Sequence, residues 1–193
     1  MSDTKNMKKT LEYISKITLL DTTASEDFLD AFELRNFKKG DSILKADQVC
    51  KHYYFIESGL AKSHFHKDDK EFIMTFFKEN MMFTEISSYL TERPSKYMIM
   101  ALEDTTVYSI NKMKIISLCK KHHSIETLFS KLFSFATLGM MKRISEMLEE
   151  DATKRYKNFI SENNELLQRI SLGDLSSYLG ITQVSLSRIR AKK

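Results

Sequence analysis

The spacing of apolar residues divides the chain into three parts. Residues 5–33 place apolar side chains three and four residues apart, the spacing of an amphipathic helix. Residues 34–110 alternate short runs of aromatic and β-branched residues with turn signals, a pattern typical of strands in a sandwich or barrel. From Lys112 onward the helical spacing returns, so the sequence predicts helices from there to the end.

Within the middle part, individual strands and turns can be placed. The predicted strands cover residues 52–56, 60–65, 72–77, 97–101 and 105–110. Polar residues 67–70 join the second and third of these strands into a hairpin. Turns are expected at residues 37–41 and 57–59, because each segment contains a glycine among polar neighbours.

One helix of the third part carries a long apolar stripe, formed by Ile125, Leu128, Leu132, Phe135, Leu138, Met141, Ile144 and Leu148. This spacing predicts a helix of about 25 residues, roughly 38 Å long. One face can pack on the β part, and the remaining apolar surface favours the same helix of a second subunit as its partner. Complete burial in the core of a single chain is the alternative.

The stretch from Ile170 to Lys193 predicts a helix-turn-helix. Ser171 with Asp174 three residues later matches a capping box at the start of the first helix. Gly180 stands where the chain must turn sharply, and glycine permits a positive φ there. Thr182 is the expected N-cap of the second helix.

The second helix of this unit leaves polar and small side chains on its outer side. The candidate DNA-contacting residues are Thr182, Gln183, Val184, Ser185, Ser187, Arg188 and Arg190. Amide, hydroxyl, methyl and guanidinium groups can each recognise base edges in the major groove. A helical hairpin that only packs on its own domain is the alternative, which the basic end with Arg190, Lys192 and Lys193 disfavours.

Charge is distributed unevenly along the chain. The net charge is +4, yet residues 151–193 hold 8 Lys and Arg against 4 Asp and Glu. The preceding 150 residues therefore carry 22 of each sign and are neutral. Positive charge confined to the predicted DNA-binding end favours contact with phosphates through counterion release.

Other classes of protein find little support in the sequence. The two cysteines, Cys50 and Cys119, lie far apart without metal-ligand spacing, so we expect no metal, no cofactor and a reducing cytoplasm. No run of about 18 apolar residues predicts a membrane span, and the polar N-terminus is unlike a secretory signal. The sequence shows neither a nucleophile–base pair nor a glycine-rich phosphate loop, so it does not indicate an enzyme.

The order of these parts resembles the cyclic-AMP receptor protein/Fnr (Crp/Fnr) family of bacterial transcription regulators. Four segments carry the resemblance: FKKGDSI (37–43), YYFIESGLAK (53–62), ALEDTTVYSI (101–110) and LSSYLGITQVSLSRIR (175–190). The resemblance implies an α+β fold with an N-terminal cyclic-nucleotide-binding-like β-roll of jelly-roll type. A long dimerisation helix and a C-terminal helix-turn-helix would follow it.

The resemblance also implies boundaries, partners and residue roles. The sensor domain would span residues 1–112, the dimerisation helix 113–150 and the DNA-binding domain 151–193. Such regulators are cytoplasmic homodimers that bind palindromic double-stranded DNA and contact RNA polymerase. Gln183, Val184, Ser185 and Arg188 would then face the bases, with Thr182 near a phosphate. The rival hypothesis is a small-molecule sensor or scaffold whose helix-turn-helix only packs.

The sequence departs from the cyclic-AMP-binding members of the family at the phosphate cassette. The corresponding effector-pocket candidates are Thr84, Glu85, Ile86, Ser95 and Lys96. Thr84 replaces the cassette glycine, and Ser95-Lys96 stand where family members have Arg-Ser. Without the arginine that pairs with the phosphate, we expect weak or no binding of cyclic AMP. The effector would be another small molecule in the roll, or there would be none.

A second departure concerns the segment after the recognition helix. Many family members continue there into a β-hairpin wing, whereas this sequence stops at Lys193. We therefore expect a DNA-binding unit without a wing.

Overall fold

The computed structural model describes residues 7–191. The predicted helical start at residues 5 and 6 and the basic residues Lys192 and Lys193 lie outside the described residues. Two helices come first, α1 (Lys8–Ser15) and α2 (Thr22–Asp30). Asp21 caps α2 by accepting a hydrogen bond from the Ala24 backbone N–H at 2.8 Å, and Phe28 anchors the helix in the core.

Eight strands follow in the described part of the chain. They are β1 (Glu33–Phe37), β2 (Ser42–Leu44), β3 (His52–Ser58), β4 (Ala61–Lys67), β5 (Lys70–Phe77), β6 (Met82–Phe83), β7 (Met98–Ala101) and β8 (Thr105–Asn111). They form two four-stranded sheets with the orders β1-β8-β3-β6 and β2-β7-β4-β5. This arrangement confirms the predicted β-roll.

The hairpin of β4 and β5 ends in the two-residue turn Asp68-Asp69, and both residues have positive φ. Such a turn matches the twist of the flanking strands. The prediction that a turn begins at residue 57 was wrong. Strand β3 continues to Ser58 and pairs with β8 across a bulge, so the chain turns only at Gly59.

Helices complete the chain. They are α3 (Ile86–Thr91), which lies between β6 and β7, and then α4 (Lys112–Lys121), α5 (His123–Glu149), α6 (Ala152–Asn163), a short 3-10 helix (Asn164–Gln168), α7 (Leu172–Leu179) and α8 (Gln183–Ala191). The predicted long helix of about 25 residues is α5, with 27 residues. No helix in the described part of the chain is long and apolar enough to cross a membrane.

The described residues fall into two compact units. One combines the residues up to Ser63 with Phe76–Phe135, and the other combines His64–Thr75 with the residues from Ala136 onward. The first unit holds a core with fully buried Phe55, Ile99 and Ile110. In the second unit, Leu166, Leu179 and Leu186 are buried to a similar degree.

Candidate nucleic-acid interface and effector pocket

Local hydrogen bonds fix the start of α7. The Ser171 hydroxyl accepts a hydrogen bond from the Asp174 backbone N–H at 2.9 Å, and the Asp174 carboxylate accepts one from the Ser171 backbone N–H at 3.3 Å. This is the capping box that the sequence predicts, and it satisfies two backbone donors that the first helical turn leaves open.

Gly180 ends α7 in the left-handed conformation, with φ of +68°. Two residues later the Thr182 hydroxyl accepts a hydrogen bond from the Ser185 backbone N–H at 3.1 Å and so caps α8. Leu175, Leu179 and Leu186 are buried where the two helices meet. The predicted helix-turn-helix is therefore present, with its turn and both helix starts at the predicted residues.

The candidate DNA-contacting residues lie in two different environments. Six of them are exposed, namely Thr182, Gln183, Val184, Ser187, Arg188 and Arg190. Ser185 is half-buried, and its hydroxyl lies 3.0 Å from that of Thr182. Val184, Ser187 and Arg188 are spaced three and four residues apart, so they share one face of α8, opposite the buried Leu186.

Arg143, in the second half of α5, holds α7 in place. Its guanidinium lies over the Tyr178 ring, 4.0 Å from the ring centre, and donates a hydrogen bond to the Tyr178 carbonyl. Burial raises the pKa of the Tyr178 hydroxyl, so this group stays neutral. The sequence analysis missed this contact, because a stacking pair separated by 35 residues leaves no periodic signal.

Arg155, in α6, adds a second connection to the same turn. Its Nε donates to the Leu179 carbonyl at 3.2 Å, and its Nη1 donates to the Glu150 carbonyl. Both acceptors belong to the ends of helices, where carbonyls lack intrahelical partners. The two arginines therefore tie α5, α6 and α7 into one support for α8.

The opposite face of α5 carries exposed apolar side chains. Leu138, Met141, Ile144 and Leu148 are 62%, 61%, 58% and 81% exposed. At 100° per residue they span about one third of the helix circumference, on the side away from Arg143. A continuous apolar stripe with this exposure is typical of a surface that another protein covers.

In the candidate effector pocket, Glu85 is occupied by its own helix. Its side chain is 7% exposed, and its two carboxylate oxygens accept hydrogen bonds from the backbone N–H groups of Ser87 at 3.0 Å and Ser88 at 2.8 Å. Glu85 thus caps α3, and a ligand hydroxyl would have to compete with two charge-assisted bonds.

The other cassette hydroxyls also bind backbone. Thr84 donates to the His52 carbonyl at 2.8 Å, and Ser95 donates to the Tyr97 carbonyl at 2.9 Å while accepting from the Tyr97 N–H at 3.0 Å. Ile86 is half-buried and Lys96 is exposed. None of the described hydrogen bonds joins one of these five candidates to another, so the cassette is not organised by contacts among its own side chains.

Aromatic rings fill the volume beside the cassette. The Phe83 ring stacks on Phe77 with ring centres 4.1 Å apart, and on Tyr54 at 5.3 Å. All three side chains are buried. Burial also raises the pKa of the Tyr54 hydroxyl, which keeps it neutral. Phe83 directly precedes Thr84, so this stack borders the segment where family members bind a nucleotide.

A separate cleft of about 750 Å³ lies in the first unit, between α3, α4 and the start of α5. Its lining combines apolar and aromatic residues, such as Tyr89, Ile115, Phe129 and Phe133, with charged side chains that include three lysines. The sequence analysis did not anticipate this cleft, because one of its walls, α3, lies about 20 residues before the other two in sequence.

Comparison with known proteins agrees with this architecture. Residues 34–122 match the cyclic nucleotide-binding domain family. No curated protein sequence matches the chain. Among solved structures, FixK2 from Bradyrhizobium japonicum has a TM-score of 0.73 at 16% identity, with 83% of each chain covered.

Two further structures cover most of the chain. A protein from Eubacterium rectale assigned to the Crp/Fnr family of transcriptional regulators has a TM-score of 0.69 at 18% identity, covering 88% of this chain and 82% of its own. A CooA mutant from Carboxydothermus hydrogenoformans also has a TM-score of 0.69, at 15% identity, covering 86% of this chain and 77% of its own.

At these identities the likeness establishes the fold. Residues 34–122 match the cyclic nucleotide-binding domain, and the helix-turn-helix formed by α7 and α8 follows later in the chain. Its fold is that of solved Crp/Fnr transcriptional regulators, which confirms the fold predicted from the sequence.

Proposed function

We propose that this protein is a homodimeric transcriptional regulator that binds palindromic DNA through α8 and does not depend on cyclic AMP. The observation that carries the proposal is the exposed face of α8, with Val184, Ser187 and Arg188 on a helix that is capped at its start and supported from behind. Side chains of this kind fit the major groove, where each base pair presents a distinct pattern.

Dimerisation is supported by the apolar stripe of α5. Leu138, Met141, Ile144 and Leu148 face away from the residues that hold the helix-turn-helix. A second copy of α5 would cover them and place two recognition helices on one side of the dimer, about 34 Å apart, as successive major grooves require. Contact with RNA polymerase, which the family implies, stays a prediction.

Independence from cyclic AMP is supported by the cassette. Both carboxylate oxygens of Glu85 accept hydrogen bonds from the backbone of α3. Ser95 stands at the position of the phosphate-pairing arginine, and the exposed Lys96 beside it carries a point charge without a bidentate fork. An effector of another kind has an alternative location in the cleft beside Phe129 and Phe133. Isothermal titration with cyclic AMP tests this part, and we expect no heat of binding at micromolar protein.

The experiment that tests the whole proposal is selection of random duplex DNA by the purified protein, at two salt concentrations, with and without cyclic AMP. We expect an enriched palindrome whose affinity falls steeply with salt and is the same with the nucleotide. Enrichment only with cyclic AMP would overturn the effector part. No enrichment under any condition would favour the rival function, a sensor or scaffold in which α7 and α8 only pack.

A further inference from the structure

The exposed face of α8 is narrower than its sequence suggests, because the Ser185 hydroxyl is engaged at the helix cap and the exposed Gln183 side chain lies close to α7. The Gln183 side chain lies back over α7, with Nε2 only 3.2 Å from where a Cβ on Gly173 would be. The Ser185 hydroxyl lies 3.0 Å from that of Thr182, at the helix cap. Val184, Ser187 and Arg188 form the exposed face directly opposite the buried Leu186.

Val184 is the unusual member of this face. Its side chain is 60% exposed, and among the described residues of α7 and α8 it is the only large apolar side chain at the surface. It stands in the first turn of the recognition helix, the part that approaches base edges most closely in helix-turn-helix proteins. A β-branched side chain in a helix has one strongly preferred rotamer, so its methyl groups are fixed before any contact is made.

The chemistry of a valine restricts what it can recognise. It has no donor or acceptor and therefore cannot read the polar edges of guanine, cytosine or adenine. The apolar group that the major groove presents is the C5 methyl of thymine. We propose that Val184 is a specificity-determining residue that selects a thymine in each half-site by contact with this methyl group.

This inference rests on the proposed function, and the experiment separates the two. Wild-type protein is first used to select its palindrome from random duplexes. Each thymine of that site is then replaced by deoxyuridine, symmetrically in both half-sites, which removes the C5 methyl and keeps every hydrogen-bonding group. Affinity is measured for the wild type, for Val184→Ala and for Ser187→Ala, the matched control on the same face.

We expect one thymine position at which deoxyuridine weakens wild-type binding by about fourfold per half-site, or about fifteenfold for both, from the burial of one methyl group. Val184→Ala should bind the thymine site more weakly and show no further loss with deoxyuridine. Ser187→Ala should keep the full loss at that position. Because Val184 is exposed and alanine is the better helix former, its replacement should not lower the thermal unfolding midpoint, and the non-specific, salt-dependent affinity should be unchanged.

Two results would overturn the inference while leaving the proposed function standing. One is an enriched palindrome in which no thymine is sensitive to deoxyuridine. The other is a sensitivity that Val184→Ala retains in full, since another side chain would then contact the methyl group. Failure to enrich any sequence would instead refute the proposed function, and this inference would be refuted with it.

Discussion

At the scale of single residues, the recognition unit depends on a glycine that no other residue replaces easily. Gly180 has φ of +68°, and a Cβ there would lie 3.0 Å from the Met147 methyl group. The backbone strain and the contact with Met147 both disfavour a side chain at position 180. The residue ends α7 and directs the chain toward the cap of α8, so its conformation sets the angle between the two helices.

Replacing Gly180 with alanine should lower the free energy of unfolding by about 1–2 kcal/mol, because an L-residue pays that cost in the left-handed conformation. Urea denaturation measures the change. Gly139→Ala provides the control, since Gly139 lies within α5 and a Cβ there would meet nothing within 4 Å. That variant should be more stable by about 0.5–1 kcal/mol. Equal effects of both substitutions would contradict the role given to the turn.

Arg188 is expected to read a base as well as to attract phosphate. Arg188→Ala should lose about 1–3 kcal/mol of specific binding if the guanidinium pairs with a guanine. Arg188→Lys keeps the charge but lacks the planar fork, so it should lose sequence preference while keeping the salt dependence of binding. Fluorescence anisotropy on the selected palindrome and on unrelated DNA distinguishes the two. An unchanged sequence preference in Arg188→Ala would exclude base reading.

At the scale of elements, α5 has two faces with different tasks. Arg143 contacts Tyr178 on one face, while Leu138, Met141, Ile144 and Leu148 are exposed on the other. The helix therefore supports α7 in its own chain and carries an exposed apolar surface, which in the proposed dimer would contact a second chain.

Met141→Glu should dissociate the proposed dimer. Met141 is 61% exposed at the middle of the apolar stripe, and a charge there would be desolvated in the interface at a cost of several kcal/mol. Sedimentation velocity should show monomers at concentrations where the wild type is dimeric. Ala136→Glu places the same charge at an exposed position on the other side of the helix and should remain dimeric. A monomeric wild type would refute the proposed interface.

The clamp between α5 and α7 can be tested in the same helix. Arg143→Ala removes a guanidinium over the Tyr178 ring and its hydrogen bond to the backbone, and should cost about 1–3 kcal/mol. Arg143→Lys keeps a cation near the ring and should recover part of the loss. Urea denaturation of both variants measures this. Wild-type stability in Arg143→Ala would show that the stacking contributes nothing.

At the scale of the whole molecule, stability should depend on pH through His52. Burial first, and then the nearby Arg35 guanidinium, lower the pKa of this histidine below its usual 6.5. Below about pH 6.5 the unfolded chain binds the proton before the folded one does, so this residue removes stability as the pH falls. His52→Gln should flatten the change in unfolding free energy between pH 7 and pH 5. An identical pH profile for the variant would refute this assignment.

Much of the architecture follows from local patterns in the sequence. The hairpin around Asp68-Asp69, the long helix α5 and the capped helices α7 and α8 each show a period or a cap that local physics imposes. The sequence analysis did not predict the strands that are too short to show a full hydrophobic period. Strand β6, with two residues, and strand β2, with three, are defined by pairing with Tyr54 and Met100, which lie far away in sequence.

The sequence alone determined the class of fold, the helix-turn-helix and the residues at its turn, because Ser171, Gly180 and Thr182 act on backbone within three residues of themselves. Only the tertiary structure decided which candidate side chains remain available. Glu85 caps its own helix, and Ser185 joins the cap of α8, since a polar group takes the partner that folding brings nearest. The tertiary structure likewise separated the two faces of α5, because periodicity marks an apolar stripe but cannot tell which part the rest of the chain covers.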